Sequence, residues 1–176
     1  MPPASTKRKR TVFLVDDHEL VREWLRNLIT QQPDLAVCGE AKSAPGAREK
    51  IIGAKPDVAV VDISMKGPSG IELIQQLKQR CPEIAVLVLS MHEAPVHVRH
   101  ALRAGADGYV MKRESATKTI EAIRRILDGG VYVTEETEQT PAGRNFRLTA
   151  DSPTRARVMR ESVSAPSGTL GVDCTP

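Results

Sequence analysis

The sequence predicts a doubly wound α/β fold, in which helices cover both faces of one parallel sheet. Between Thr11 and Gly130, short apolar runs alternate five times with amphipathic segments of helical periodicity. The runs are apolar throughout, as in parallel strands buried on both faces, whereas a half-exposed strand would alternate between apolar and polar residues. A regular succession of strand and helix is the pattern of a sheet joined by right-handed crossovers.

Five strands are predicted, and the composition indicates what packs against them. Of the 176 residues, 40% are hydrophobic but only 3% are aromatic, so the core must consist of Val, Ile, Leu and Ala. This length suits one domain of average size with an additional segment. The strands are expected near residues 11–16, 35–40, 57–62, 84–90 and 107–111.

The first two helices have recognisable start and stop signals. Pro33 follows the first helix as a stop, because proline cannot continue a helix. Ser43 opens the second helix, and Gly53 near its end is expected to close it. The apolar residues of the first helix recur at helical spacing and form one face, namely Leu20, Val21, Trp24, Leu25, Leu28 and Ile29.

The remaining helices are marked by caps and prolines. Ser69 and Glu72 form a capping-box pattern at the start of the third helix, and Pro82 ends it. Pro95 fits the first turn of the fourth helix, where its missing N–H matters little. The fifth helix is closed by Gly129 and contains Ile120, Ile123, Ile126 and Leu127.

The net charge of +3 divides the chain into three parts. Residues 1–10 carry four basic side chains and no acidic one, and we expect a disordered, solvated basic arm. The alternative is an arm that touches phosphates weakly. Residues 11–130 carry 16 side chains of each sign and form the predicted domain. Residues 131–176 are predicted to be a linker and a weakly structured or disordered tail, because 140–176 lack sustained apolar periodicity.

The sequence also favours a cytoplasmic location. No run of 18 apolar residues indicates a membrane span, and no apolar stretch follows the basic start as in a secretory signal. Cys38, Cys81 and Cys174 are odd in number and lack paired spacing. They are therefore interpreted as free thiols in a reducing compartment.

Polar residues stand where four of the predicted strands end. Asp16 and Asp17 follow the first strand, Asp62 ends the third, Ser90 ends the fourth and Lys112 follows the fifth. The carboxyl ends of parallel strands share one edge, where such sheets bind ligands. A carboxylate there can attack phosphorus, and Mg²⁺ would offset the repulsion among three carboxylates. An ammonium and a hydroxyl suit phosphoryl oxygens, so the pattern predicts a metal-assisted phosphoryl site.

The same residues also allow other interpretations. Asp16 and Asp17 alone would fit a helix cap, and Asp62 alone would fit a loop. His97 and His100 lie three apart on the fourth helix, which allows a metal pair but is more typical of solvated histidines. No Ser-His-Asp arrangement of a hydrolase is evident. The coincidence of all the polar residues at one sheet edge favours the phosphoryl site.

Several motifs together resemble a known family. Residues 11–130 resemble a response-regulator receiver domain of two-component signalling, in its NarL/FixJ (LuxR-type) branch. The resemblance implies a (βα)5 flavodoxin-like fold with strand order 2-1-3-4-5. The motifs are Asp16-Asp17-His18, Val60-Val61-Asp62-Ile63-Ser64-Met65, Ser69-Gly70-Ile71-Glu72-Leu73, Leu89-Ser90-Met91-His92, Ala104-Gly105-Ala106-Asp107-Gly108-Tyr109 and Lys112.

The resemblance implies a phosphoprotein of a phosphorelay. Asp62 would accept a phosphoryl group from a sensor histidine kinase. Asp16, Asp17, Asp62 and the backbone carbonyl of Ser64 would hold Mg²⁺. The protein would not be an enzyme beyond its own Mg²⁺-dependent autophosphorylation and dephosphorylation.

The resemblance also implies a conformational switch. Ser90 and Lys112 would contact the phosphoryl group, and Tyr109 would change rotamer together with the Ser90 loop. The surface formed by the fourth helix, fifth strand and fifth helix would then shift, because new charge-assisted bonds bias a two-state element. A homodimer is a further expectation.

Three positions depart from the family pattern. Lys66 stands where Pro is frequent, with Pro68 later, so we expect a more mobile loop and an added cation that alters phosphoryl lifetime. Arg113 follows Lys112 in place of the Pro of many receivers, and Ser90 replaces the frequent Thr. Each change leaves the predicted site residues in place.

The tail is the largest departure. The branch normally continues into a helix-turn-helix domain, but only Leu148-Thr149-Ala150-Asp151 is similar to its opening. One hypothesis is that the tail is a truncated or frame-shifted gene product, and the alternative is that residues 131–176 are functional. The alternative functions are a LuxR-type transcription regulator, which binds DNA only if an output domain exists, and a phosphatase acting through an aspartyl phosphate, which the short loops disfavour.

Overall fold

The computed structural model describes residues 8–67 and 69–134. Within these residues the chain forms a six-stranded parallel sheet with helices on both faces, which confirms the doubly wound α/β prediction. The strands are β1 (Arg10–Val15), β2 (Leu35–Ala41), β3 (Val58–Asp62), β4 (Ala85–Ser90), β5 (Gly108–Met111) and β6 (Tyr132–Val133). The helices are α1 (Glu19–Thr30), α2 (Ala44–Ala54), α3 (Gly70–Arg80), α4 (Pro95–Arg103) and α5 (Ala116–Leu127).

The strand order is β2-β1-β3-β4-β5-β6, so the expected order 2-1-3-4-5 is confirmed and extended by one strand. The sheet contains one strand more than the five predicted. The additional strand, β6, falls in the segment 131–176, which was predicted to be a linker and tail. β6 pairs in parallel with β5, and the amides of Tyr132 and Thr134 donate to the carbonyls of Asp107 and Tyr109 at 3.2 and 3.3 Å. This short strand satisfies hydrogen-bonding groups on the outer edge of β5. A strand of two residues is too short to show a periodic pattern, so the sequence could not predict it.

The core forms two layers, one on each face of the sheet. Along β1, Val12 and Leu14 belong to one layer, whereas Phe13 and Val15 belong to the other. This alternation follows from the two-residue period of a strand. The first layer packs against α1 and α5, and the second packs against α2, α3 and α4.

The helix ends agree with most of the predicted signals. The Ser69 hydroxyl accepts a hydrogen bond from the amide of Ile71 at the start of α3, and Gly129 closes α5 with a φ of +86°. For α2 the prediction was wrong, because Gly53 lies inside the helix. The helix ends at Lys55, whose φ is +46° and whose amide bonds to the carbonyl of Ile51. Pro56 follows directly, so the helix cannot continue.

The last residues of the predicted basic arm are part of the folded domain. β1 begins at Arg10, and Arg8 and Arg10 each lie 3.0 Å from the carboxylate of Asp57. The backbone amide and hydroxyl of Thr11 donate to the same carboxylate. Residues 1–7 and the predicted tail at 135–176 lie outside the described residues. None of the described helices is long and apolar enough to cross a membrane.

Candidate functional site at the carboxyl edge of the sheet

The predicted site residues stand at the ends of neighbouring strands. Asp62 is the last residue of β3 and Ser90 is the last residue of β4. Asp62 pairs in register with Leu89, and Ser90 pairs with Met111, the residue before Lys112. The strands therefore end at nearly the same level, and their terminal side chains meet at one edge of the sheet.

Three carboxyl groups converge at this edge. Oxygen atoms of Asp16, Asp17 and Asp62 and a ring nitrogen of His18 all lie within 4.8 Å of one another. The side chains of Asp16 and Asp62 are 2% and 0% exposed, whereas that of Asp17 is 20% exposed and opens to solvent. The convergence predicted from the strand ends is thus present in the structure.

Lys112 joins two of these carboxyl groups. Its ammonium nitrogen lies 2.7 Å from Oδ2 of Asp62, to which it donates a hydrogen bond. It lies 2.7 Å from Oδ2 of Asp16 as well, in an ion pair whose geometry falls outside that of a hydrogen bond. Burial alone would lower the pKa of the Lys112 ammonium, but its contacts with Asp16 and Asp62 outweigh burial and raise that pKa.

Backbone amides of the β3–α3 loop hold one carboxylate oxygen of Asp62 and one of Asp17. The amide of Ser64 donates to Oδ1 of Asp62 at 2.8 Å, and the amide of Lys66 donates to Oδ2 of Asp17 at 3.1 Å. The β3–α3 loop is therefore fastened to two of the three carboxyl groups. The Ser64 hydroxyl is buried with no hydrogen-bond partner among the described residues.

Gly70 permits α3 to begin close to the end of β3. A Cβ atom on Gly70 would lie 2.4 Å from the carbonyl oxygen of Asp62 and 2.8 Å from Cα of Ile63. Both contacts are with backbone, which cannot swing away as a side chain can. Glycine at this position therefore allows the start of α3 to lie against the backbone of Asp62 and Ile63.

Ser90 and Tyr109 are connected through the backbone of His92. The Ser90 hydroxyl accepts a hydrogen bond from the amide of His92 at 3.0 Å, and the Tyr109 hydroxyl donates to the carbonyl of His92 at 2.7 Å. Both side chains are fully buried, so Tyr109 points inward. Burial raises the pKa of the Tyr109 phenol.

Sequence reasoning missed two contributions to the site. The ring of His18 lies 2.9 Å from Asp17 and 3.2 Å from Asp16, where it touches the acidic cluster directly. Glu93 and Arg113 form an ion pair that joins the β4–α4 loop to the β5–α5 loop beside the site. The position of His18 directly after Asp17 was a sequence signal for the histidine contact. The Glu93–Arg113 ion pair could be recognised only from the fold.

The acidic cluster could bind a metal. Three carboxyl groups face one ammonium, which leaves an excess of two negative charges when all are ionised. One divalent cation carries the charge that balances this excess, and carboxylate oxygens are the ligands that Mg²⁺ prefers. Asp16 Oδ2 and Asp17 Oδ1 are buried and accept no hydrogen bond, although Lys112 lies 2.7 Å from the first and the His18 ring 2.9 Å from the second. A carboxylate oxygen has more than one lone pair, so both oxygens could also bind a cation.

Comparison with known families gives a match over most of the described residues. The model of the response regulator receiver domain matches residues 12–124. This range contains every residue of the cluster as well as Ser90, Tyr109 and Lys112.

Individual proteins show the same likeness. The transcriptional regulatory protein UhpA of Salmonella typhimurium is 39% identical over 140 residues, which cover 79% of this chain. The DNA-binding transcriptional activator DevR/DosR of Mycobacterium tuberculosis is 41% identical over 119 residues, or 68% of this chain. A LuxR-family two-component response regulator from Aurantimonas sp. SI85-9A1 superposes with a TM-score of 0.73 at 33% identity, over 80% of this chain and 99% of that one.

The matched relatives are longer than the matched region. The alignments span 70% of UhpA but only 54% of DevR/DosR. The likeness therefore concerns the receiver part of these proteins.

Proposed function

The chain belongs to the response regulator receiver domain family, and from this premise we propose that Asp62 accepts a phosphoryl group from a sensor histidine kinase. The proposal rests on the environment of Asp62. Its carboxylate is buried and lies 2.7 Å from the Lys112 ammonium. One of its oxygens lies within 4.8 Å of carboxylate oxygens of Asp16 and Asp17. Metal-assisted phosphoryl transfer needs this combination of a nucleophile and fixed positive charge.

The proposed transfer is a displacement at phosphorus. A carboxylate oxygen of Asp62 forms a bond to phosphorus as the bond from phosphorus to the imidazole nitrogen of the kinase breaks. The electron pair of the broken bond stays on that imidazole. The Ser64 amide holds Oδ1 of Asp62 and so fixes the orientation of the carboxylate before transfer.

The residues present fit a magnesium ion. Asp16, Asp17, Asp62 and the backbone carbonyl of Ser64 would hold it. When bound, Mg²⁺ supplies positive charge that offsets both the repulsion among the carboxylates and the charge of the phosphoryl group. The His18 ring already contacts Asp16 and Asp17 and would adjust as the ion binds.

Ser90, Lys112 and Tyr109 would convert phosphorylation into a conformational change. The Ser90 hydroxyl, which accepts a hydrogen bond from the amide of His92, would donate its own proton in a hydrogen bond to a phosphoryl oxygen. Lys112 would contact another oxygen. Because the Tyr109 hydroxyl bonds to the carbonyl of the same His92, a moving β4–α4 segment releases its present hydrogen bond. The face formed by α4, β5 and α5 would shift in consequence.

The family is one of receiver domains, so turnover of an external substrate is not the proposed role. Autophosphorylation from a small phosphodonor and Mg²⁺-dependent loss of the phosphoryl group would be the chemistry of the receiver domain.

Regulation of transcription is a second candidate function. It is favoured by the relatives UhpA and DevR/DosR, which are a transcriptional regulatory protein and a DNA-binding transcriptional activator. All the helices within the described residues belong to the receiver fold. Sequence-specific DNA binding in a gel shift at moderate salt would support this function, whereas binding that disappears with salt would not.

The proposed function is tested by incubation with acetyl phosphate and Mg²⁺, followed by intact-mass measurement. The wild type should gain one phosphate, and Asp62→Asn should gain none. Asp57→Asn is a matched control, because Asp57 lies just before β3, at the opposite end of the same strand, and should be phosphorylated like the wild type. A wild type that gains no phosphate, or an Asp62→Asn variant that gains as much as the wild type, would refute the assignment.

A further inference from the structure

Three of the four histidines of the chain line one cleft. His92, His97 and His100 face Ile63, Ser69 and Ile71 across a space of about 300 Å³. The cleft lies between the start of α3 and helix α4, and Ile63 directly follows Asp62. The histidines thus gather beside the phosphorylation site but outside the acidic cluster.

We propose that His92, His97 and His100 form a separate site for a divalent transition metal of the Zn²⁺ type. Imidazole nitrogens suit Zn²⁺, Ni²⁺ and Cu²⁺, whereas carboxylate oxygens suit Mg²⁺. Among the described residues, those that line the cleft include no carboxylate. The two sites therefore differ in donor chemistry, and each selects a different class of cation.

The spacing of the three residues supports a shared metal. His97 and His100 are three residues apart on α4, which places them on one face of the helix. His92 lies in the segment before α4, and its ring stacks on that of His97 with centroids 4.6 Å apart. Zinc sites with three protein ligands complete a tetrahedron with water, so three imidazoles suffice.

Metal binding requires one ring of the stack to turn. Stacked rings, 25° from parallel, direct their nitrogens sideways instead of toward a common point. His92 and His100 are exposed and His97 is half-buried. Rotation of exposed side chains such as that of His92 is fast. The site would therefore form as the metal binds.

A metal at this site would act on the proposed switch, and this part rests on the proposed function. The backbone of His92 bonds to both Ser90 and Tyr109. A metal that ties the His92 ring to α4 would restrain this backbone in one position. Its binding would consequently change how readily Ser90 moves toward a phosphoryl group.

The binding test uses the ¹⁵N-labelled full chain, histidine-ring NMR spectra and a Zn²⁺ titration in saturating Mg²⁺. Only four histidine rings contribute, so single variants assign every signal. The rings of His92, His97 and His100 should shift together while His18 remains in place. His97→Ala and His100→Ala should each weaken Zn²⁺ binding at least about tenfold, as expected for a metal ligand.

Val96→Ala is the matched control, because Val96 is an exposed neutral residue of the same helix, 43% accessible. It should bind Zn²⁺ like the wild type. The remaining ring signals report whether each variant is folded. The proposed site is refuted if Zn²⁺ shifts only His18, or if His97→Ala binds Zn²⁺ as tightly as the wild type.

The coupling is tested by the rate of phosphorylation from acetyl phosphate in Mg²⁺, with and without Zn²⁺. Zn²⁺ should change the rate at least about twofold in the wild type and leave His97→Ala unchanged. An equal effect on both proteins would refute the coupling. A wild type that is never phosphorylated would refute the proposed function, while the ring titration would still decide whether the metal site exists.

Discussion

The ammonium nitrogen of Lys112 lies 2.7 Å from Oδ2 of Asp62, and both side chains are almost fully shielded from solvent. This contact joins the loop after β5 to the end of β3. It places positive charge beside the proposed phosphoryl acceptor before any phosphoryl group arrives. Little reorganisation is then needed to stabilise the charge of a phosphoryl group on Asp62.

Replacing Lys112 with Met should strongly destabilise the protein. Loss of the ammonium leaves Asp16 and Asp62 buried without a cation, and breaking such a pair reduces the free energy of unfolding by about 3 kcal/mol. Urea unfolding at neutral pH without Mg²⁺ measures the change. Lys118→Met is the control, because the Lys118 side chain is 45% exposed and its i,i+4 ion pair with Glu114 lies at the start of α5, outside the acidic cluster. The control should change stability by less than about 0.5 kcal/mol, and an equal loss in both variants would contradict the prediction.

The contribution of Lys112 should disappear at high pH. Because folding raises the pKa of Lys112, the folded state holds this proton more tightly than the unfolded state does. The stabilisation is complete below the unfolded pKa of about 10.4 and is lost as pH rises through the higher folded value. The difference in unfolding free energy between wild type and Lys112→Met should stay constant from neutral pH to about pH 10 and shrink above it. The raised pKa of Tyr109 also makes the unfolding free energy fall at high pH. This effect is present in both proteins and therefore cancels in their difference.

Magnesium should stabilise the wild type but not Asp17→Asn. A cation that binds only the folded state, at ten times its dissociation constant, raises the free energy of unfolding by about 1.4 kcal/mol. Asp17→Asn removes one of three neighbouring carboxyl groups, so this variant should be more stable than wild type without metal and gain little from Mg²⁺. Thermal unfolding with EDTA and with Mg²⁺ measures both effects. A variant that gains as much from Mg²⁺ as the wild type would show that the ion binds elsewhere.

Replacing Gly70 with Ala should disturb the site. The added Cβ would meet the Asp62 carbonyl at 2.4 Å, so the start of α3 or the end of β3 must move. We expect a loss of about 2 kcal/mol in unfolding free energy together with weaker phosphorylation of Asp62. The matched control is Gly53→Ala inside α2, where a Cβ meets nothing within 4 Å. The control should raise stability by about 0.5–1 kcal/mol, and equal behaviour of the two variants would contradict the proposed close approach.

Asp57→Asn should weaken the protein at neutral pH but not in acid. Burial tends to raise the pKa of Asp57, but hydrogen bonds from Thr11 and the charges of Arg8 and Arg10 outweigh it and lower that pKa. The stabilisation is therefore present above the unfolded pKa of about 3.9 and is lost as pH falls through the lower folded value. Urea unfolding should show a deficit of about 1 kcal/mol at neutral pH. A deficit that persists unchanged at the acid end would argue against the charge as its origin.

Much of the site was predictable because its residues stand where strands end. The apolar runs that finish at Asp62 and Ser90 are local patterns, and a parallel sheet necessarily collects their ends at one edge. The prediction that Asp16 and Asp17 lie near Asp62 therefore needed no coordinates. The functional roles of these residues stay predictions until the phosphorylation experiment is done.

Other features depended on contacts between distant segments. His18 directly follows Asp17, which signals that it lies near the acidic pair, but its approach to Asp62, 3.9 Å away, depends on where α1 begins relative to β3. The backbone of His92 links Ser90 to Tyr109, but backbone hydrogen bonds of this kind leave no trace in residue identity. Arg8 and Arg10 interact with Asp57, 49 and 47 residues away, where local composition favours a disordered arm.

The sequence by itself determined the class of fold, the positions of five strands and the residues that meet at the sheet edge. Each of these follows from local periodicity and from the side-chain chemistry at strand ends. The tertiary structure alone decided that β6 joins the sheet, that Lys112 bridges Asp16 and Asp62, and that three histidines share one cleft. These depend on which segments pack together, because hydrogen bonds, ion pairs and burial between distant residues are set by the whole fold.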